Sequence, residues 1–167
     1  MIGLGADSYL ATYLNDHLAG SVAGVELARR AAASNRSTAL GRALVQLAHD
    51  IEEDRSALED VMRRLEVGKD RLKVAASWGA EKLGRLKLNG ELLSYSPLSR
   101  LEELELILLG VEGKLALWRA LRHRLGDDPR LRGVDLEGLI QRAQSQARRL
   151  ERHRLRAAED VLRPADR

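Results

Sequence analysis

Apolar residues recur along most of the chain at alternating intervals of three and four, the spacing that places side chains on one face of an α-helix. The clearest run contains Leu40, Leu44, Leu47, Ile51, Leu58, Val61 and Leu65. No run of alternating β-branched and polar residues predicts a strand. The pattern predicts five helices, at about residues 8–33, 38–66, 70–88, 97–125 and 135–162.

The predicted boundaries coincide with residues that cap helices. These are Asp7 or Ser8, Ser37 or Thr38, Ser96 followed by Pro97, and Asp135. Side chains of this kind accept a hydrogen bond from a free amide in the first turn, and proline suits the first helical position. The chain has 3 prolines, and each falls between two helices or at a helix end.

Four of the predicted helices have about 28 residues, or roughly 40 Å, and the helix at 70–88 is shorter. Their order predicts an all-α, ferritin-like up-down four-helix bundle, built of two antiparallel hairpins joined by the shorter crossover helix. A five-helix up-and-down bundle, with the short helix as an equal member, is the alternative. In both cases residues 1–167 form a single helical-bundle domain.

Two polar residues interrupt the apolar seams of the first predicted hairpin. His17 continues the core stripe of the first helix, and Asp54 stands between Ile51 and Leu58 in the second. The turn centres near residue 36, so residues that face each other across an antiparallel hairpin sum to about 72. We therefore expect His17 and Asp54 at the same level of the bundle.

The helix at 97–125 contributes a third polar exception. Glu112 lies in the middle of "LELILLGVEGKLALW", which is apolar almost all round and should be the most buried helix. The last hairpin centres near residue 130, so Glu112 is expected to face about Arg148, and Glu105 about Arg154. These positions predict a buried polar cluster of His17, Asp54, Glu112 and Arg148.

Two interpretations of this cluster are open. In a structural network, the two carboxylates accept hydrogen bonds from His17 and an arginine and fix the helix register, since buried charges must be paired. In a metal-carboxylate centre, His17, Asp54 and Glu112 hold a first-row metal ion. We expect the structural network, with no cofactor and no catalytic residue.

Composition narrows the classes of function. The chain contains 0 cysteines, which excludes disulfides and thiolate chemistry, and 3% aromatic residues argue against stacking platforms for single-stranded nucleic acid. The N-terminal sequence lacks the basic and apolar regions of a signal peptide. No stretch approaches the roughly 18 apolar residues of a membrane span. We therefore expect a cytoplasmic protein.

Two basic stretches suggest weaker alternatives. Residues 69–90, including Lys82 and Lys87, form an amphipathic segment that suits either the crossover or an anionic membrane surface. Residues 146–156 are rich in arginine, but Glu151 interrupts them and no known DNA-binding motif accompanies them. With a net charge of only +3, neither nucleic-acid binding nor stable membrane association is expected.

Apolar residues in excess of one seam predict an interface. Leu106 and Leu109 fall off the main stripe of their helix, so they are covered either by the crossover helix or by a second subunit. A symmetric dimer is the commonest such assembly. We expect a non-catalytic protein that acts through self-association or another protein–protein interaction, and no small-molecule ligand is indicated.

The helix lengths, the crossover and the inward carboxylates resemble the ferritin-like superfamily, as architecture only. Di-iron members of that superfamily carry Glu-x-x-His on two helices. Here the residues three positions before His17, His49, His123 and His153 are Leu14, Gln46, Ala120 and Leu150. The stretches "YLNDHLAG" and "SPLSRLEELE" also resemble an uncharacterised bacterial family, actinobacterial by its composition, and that resemblance implies no activity.

Overall fold

The computed structural model describes residues 4–70 and 95–162, which contain helices and no β-strand. Its elements are α1 (Leu4–Ser34), α2 (Ala39–Arg64), α3 (Pro97–Leu125), a short 3-10 helix (Pro129–Leu131) and α4 (Leu136–Val161). They confirm the long helices predicted from the sequence, although α1 begins earlier, at Leu4. The helix predicted at 70–88 lies outside the described residues, apart from its first position.

The predicted caps start three of the helices. Thr38, Ser96 and Asp135 accept hydrogen bonds from the amides of Gly41, Ser99 and Gly138, at 3.0, 3.1 and 2.8 Å. Each of these bonds satisfies a first-turn amide that has no partner within its own helix. The sequence therefore determines where α2, α3 and α4 begin through local chemistry, independently of how the helices pack.

The helices form two hairpins, α1 with α2 and α3 with α4, and α1 also packs against α3. Asn35, in the turn between α1 and α2, donates to the Tyr95 hydroxyl at 2.8 Å, so α3 starts at the end of the bundle where α2 starts. At the other end, Arg64 donates to the carbonyl of Arg132 at 3.1 Å. Helices α2 and α3 consequently run parallel.

The chain that leaves α2 is held against α1 by one buried asparagine. The Asn15 amide donates to the carbonyl of Gly68 at 3.0 Å, and its oxygen accepts from the Asp70 amide at 2.9 Å. Asn15 is in α1, 20 residues before Asn35, and this number of residues corresponds to about 30 Å along a helix. Asp70 and Tyr95 therefore lie toward opposite ends of the bundle.

Two hydrophobic clusters fill the bundle, one above the other. The upper cluster includes Val25, Ala28, Leu44, Ile51, Leu104, Val111 and Leu150. The lower cluster includes Leu14, Leu58, Met62, Leu115, Trp118, Ile140 and Ala143. Both clusters contain residues from all four helices, so the two hairpins share the same core. The boundary between the two clusters lies near the middle of the bundle.

The small residues of α1 have different surroundings. A Cβ added to Gly24 would lie 4.0 Å from a methyl group of Ile51, an ordinary contact, so a small residue here lets α2 approach closely. Ala28 is fully buried in the upper cluster. Small residues at these two positions therefore allow close helix packing.

Among the glycines of the described residues, Gly41 has the strictest steric requirement. A Cβ at this position would lie 2.1 Å from the backbone carbonyl oxygen of Asn35, which already accepts hydrogen bonds from Thr38. Gly41→Ala is therefore expected to lower the free energy of unfolding by about 1–3 kcal/mol, measured by urea denaturation.

Gly20→Ala is the control for this prediction. Gly20 is also helical, but no atom of the described residues lies within 4 Å of its added Cβ. Alanine should leave stability unchanged or raise it by up to about 1 kcal/mol, because it favours helix. Equal losses in both variants would contradict the steric argument.

Candidate functional site: a polar layer in the bundle core

A closed set of hydrogen bonds joins three helices at the centre of the bundle. Lys114 Nζ on α3 donates to Asp54 Oδ2 on α2 and to Gln146 Oε1 on α4. Gln146 Nε2 donates to the same Asp54 oxygen at 3.1 Å. Asp54 is 2% exposed and Gln146 is 0% exposed, so this polar layer lies within the core.

A second cation approaches the same carboxylate from the surface. Arg142 Nη2 on α4 forms an ion pair with Asp54 Oδ1, while its Nη1 donates to Glu53 Oε2 at 3.2 Å. Asp54 therefore has a cation on each oxygen, and Glu53 compensates the additional positive charge. A buried carboxylate is tolerated when opposite charges and hydrogen bonds surround it in this way.

The heptad spacing of each helix positions the side chains of Asp54, Lys114 and Gln146. Each of them stands three residues after one core residue and four residues before another, so it points into the core. The flanking core residues are Ile51 and Leu58 on α2, Val111 and Trp118 on α3, and Ala143 and Leu150 on α4. The polar layer thus forms the boundary between the upper and lower hydrophobic clusters.

Two opposing effects act on the charge of Lys114 in this layer. Burial lowers the pKa of its ammonium group below the usual lysine value, while the Asp54 carboxylate opposes that shift. The ammonium, carboxylate and amide groups bind one another, an arrangement that fixes the relative height of three helices. The most direct chemical role of the layer is therefore to set the register of the bundle.

Of the predicted buried cluster, only Asp54 belongs to this layer. Glu112 and Arg148 are exposed, so their predicted places in the core are wrong. Each lies two positions from a true member of the layer, Lys114 and Gln146 respectively. Two positions correspond to about 200° around a helix, which points the side chain away from the core.

His17 is partly buried and contacts Tyr13 rather than the polar layer. The two rings meet edge to face, with centroids 4.6 Å apart. Burial lowers the pKa of the His17 imidazole, and the nearby Asp16 carboxylate opposes that change. The proposed metal set of His17, Asp54 and Glu112 is not brought together, since no metal-capable group of three His, Asp or Glu side chains occurs among the described residues.

The predicted pairing of Glu105 with Arg154 is confirmed. Arg154 Nη1 donates to Glu105 Oε1 at 3.3 Å, and the same guanidinium also binds Glu151. The residues that sequence reasoning missed are Lys114, Gln146 and Arg142. The first two carried a usable signal, because both occupy core positions of the same heptad pattern that identified Asp54.

A second polar network connects the end of α1 to the start of α3. The Asn35 amide donates to the Tyr95 hydroxyl at 2.8 Å, and Arg100 donates to Asn35 Oδ1 at 3.0 Å. Arg30 forms an ion pair with Glu103 Oε1 at 3.5 Å. Burial raises the pKa of Glu103, and burial raises the pKa of Tyr95 to about 12.

The predicted interface residues have different environments. Leu106 is partly buried and packs against the upper hydrophobic cluster. Leu109 is 66% exposed although it lies near the middle of α3. Ala116 and Ala120, farther along the same helix, are also exposed. An apolar surface therefore follows one side of α3 without cover from the described part of the bundle.

The basic stretches are only partly described. Lys69 forms an ion pair with Glu59 at 3.0 Å, and the rest of the basic segment, residues 71–90, lies outside the described residues. On α4, Arg149 binds the buried Asp50 at 2.6 Å. No helix within residues 4–70 and 95–162 has the length and hydrophobicity needed to cross a membrane.

Comparison of the chain with protein-family models, curated proteins and solved structures gives no match.

The polar layer predicts a strong asymmetry between single and paired substitutions. Asp54→Leu or Lys114→Met alone should lower the free energy of unfolding by about 3–5 kcal/mol, because the first leaves Lys114 without its carboxylate and the second leaves Asp54 Oδ2 without its cation. The double variant should regain most of that loss, since an apolar pair often replaces a buried ion pair at little cost. Urea denaturation of all four proteins measures the coupling.

The exposed pair of Arg122 and Glu137, at 51% and 55% side-chain exposure, provides the control. Glu137→Gln should change the free energy of unfolding by less than about 1 kcal/mol, because solvent screens the pair. Additive losses in the Asp54 and Lys114 double variant would mean that the two groups do not depend on each other.

Glu103 predicts a pH dependence. Its pKa is raised above 4.5 in the folded protein, so the folded state holds the proton more tightly than the unfolded chain does. The contribution of Glu103 to stability is therefore present at and below the unfolded pKa and decreases as pH rises through the raised value. Glu103→Gln removes this titration, so the stability difference, wild type minus variant, should decrease across that window. A pH-independent difference in urea denaturation would contradict the prediction.

Proposed function

We propose that this protein is a non-catalytic helical bundle that acts by associating with a second copy of itself through the exposed side of α3. The observation that carries the proposal is Leu109, which is 66% exposed near the middle of a long bundle helix. Burying a leucine side chain stabilises a protein by about 1.5–3 kcal/mol relative to leaving it in water. Leu109 shares its side of α3 with the exposed Ala116 and Ala120, and an extended apolar surface is typical of an interface.

The distribution of apolar residues in α3 supports the same function. Helices α2 and α4 concentrate their apolar residues on one face, whereas α3 spreads them over more than one face. The inner face is occupied by core residues such as Leu104, Val111 and Trp118. Leu98, which is 43% exposed, and Leu109 lie outside that face. A helix that is apolar on two sides is suited to contact two neighbours.

The state of the polar layer favours a structural rather than a catalytic bundle. Asp54, Lys114 and Gln146 are joined by hydrogen bonds, and hydrophobic clusters enclose the layer above and below. A catalytic group needs a reacting atom within hydrogen-bonding reach, whereas these groups are engaged in joining helices. Association accordingly explains the exposed surface without assigning a reaction to the buried residues.

We also infer the ferritin-like arrangement for the bundle. It is supported by the parallel direction of α2 and α3, by the packing of α1 on α3, and by the positions of Asp70 and Tyr95 toward opposite ends. These features fit two hairpins joined by a crossover. They equally fit a five-helix up-and-down bundle in which the helix predicted at 70–88 is an equal member.

The association is tested by Leu109→Glu. Light scattering on the wild type should give the mass of a dimer, and the variant should be monomeric or dissociate at least about 30-fold more readily, as expected when a central apolar contact worth about 2 kcal/mol is lost. Circular dichroism would verify that the variant keeps its helical content, because Leu109 contributes little to the core.

Leu155→Glu is the matched control. Leu155 is 49% exposed on α4, so the substitution introduces the same charge at another exposed leucine. This variant should remain dimeric. A wild type that stays monomeric at millimolar concentration, or equal effects of the two substitutions, would overturn the proposed function.

A further inference from the structure

One set of positions on α3 repeats with the spacing of a coiled-coil seam and lies beside the face that packs into the bundle. This α3 stripe consists of Glu102, Leu106, Leu109, Gly113, Ala116 and Ala120. The intervals alternate between four and three residues, which keeps the positions on one side of the helix. Leu109, Ala116 and Ala120 are exposed, and the other three are partly buried. The stripe therefore has the pattern of a second helix-packing surface.

Side-chain size is distributed unevenly along the stripe. The two leucines lie in its first half, and Gly113, Ala116 and Ala120 occupy the second half. No described atom approaches within 4 Å of a Cβ placed on Gly113. Two antiparallel copies would set the leucines of each helix against the small residues of the other. Two parallel copies would set leucine against leucine and leave a gap at the glycine, which close packing disfavours.

Like side-chain size, charge differs between the first and second halves of α3. On or beside the stripe, the acids Glu102 and Glu112 precede the bases Arg119 and Arg124. An antiparallel pair places the acidic half of each helix beside the basic half of the other, whereas a parallel pair places like charges together. Complementary charges across an interface select orientation and suppress the competing arrangement. Size and charge therefore favour the same geometry.

We propose that two copies of this chain associate through antiparallel contact of their α3 stripes, with a two-fold axis near residues 111–113. This inference rests on the proposed function and specifies its geometry. Leu106 and Leu109 of one copy face Gly113, Ala116 and Ala120 of the other. The interface is isologous, as a two-fold symmetric dimer requires.

The absence of cysteine from the sequence makes the orientation directly measurable. Single-cysteine variants Leu98→Cys, Glu112→Cys and Arg124→Cys replace exposed residues at the start, middle and end of α3. Each variant is labelled with a nitroxide, and the distance between the two labels of a dimer is measured by electron paramagnetic resonance. Light scattering on the same samples reports whether a dimer is present.

Antiparallel contact predicts one short distance and two long ones. Labels at residue 112 should lie within roughly 20 Å, because packed helix axes are about 8–10 Å apart. The two labels at residue 98, one in each copy, should be about 40 Å apart, and so should the two labels at residue 124. In each case the labels are offset along the helix axis by the rise of roughly 27 residues. Adding Leu109→Glu to the Glu112→Cys variant should abolish the short distance.

The outcomes separate the orientation from the association itself. A dimer with short distances at residue 98 or 124, as parallel helices would give, overturns the orientation and leaves the proposed function in place. A dimer with a long distance at residue 112 shows that another surface forms the contact and also overturns the inference. A monomer in every sample overturns the proposed function and, with it, the antiparallel geometry.

Discussion

The fold depends on one electrostatic requirement: the buried carboxylate of Asp54 needs positively charged partners beside it. Asp54 is surrounded by core residues, and its charge is balanced by Lys114 from α3 and Arg142 from α4. Separating α2 from either helix would leave a charge in an apolar environment, which is far less favourable than losing an ordinary apolar contact. The polar layer therefore couples the two hairpins more specifically than the hydrophobic contacts around it.

Register is the property that this coupling supplies. A seam of apolar residues spaced by three and four looks similar after a shift of seven residues, so hydrophobic packing alone discriminates weakly between alignments of long helices. A layer that combines a carboxylate, an ammonium and an amide has one favourable alignment, because every shifted alignment places at least one polar group against leucine or valine. The hydrogen bonds of Asn35 to Tyr95 and of Arg100 to Asn35 give a second constraint at one end of the bundle.

The sequence predicts the helices well because their boundaries are local: Thr38, Ser96 and Asp135 cap the helices they precede. It predicts the height of residues in a hairpin almost as well, as the contact of Glu105 with Arg154 demonstrates. The pairing of facing residues in a hairpin does not predict whether a side chain points into the core or away from it. Glu112 and Arg148 have suitable heights but point outward, whereas the neighbouring Lys114 and Gln146 point inward. The heptad position of each residue contains that angular information, and a lysine at a core position is easily assigned to the surface because its charge usually lies in water.

The contrast between the paired polar layer in the core and the uncovered side of α3 supports the proposed association over a chemical role. The polar residues in the core bind one another, so their contribution is to position helices. The apolar residues of α3 exceed what one core-facing side can bury, and Leu109 remains in solvent while Leu106, one turn away, reaches the core. A helix that meets the bundle on one side and presents leucines and small residues on another has surface for a further helix. That surplus is a property of α3 itself, because α2 and α4 concentrate their apolar residues on one face more strongly than α3 does.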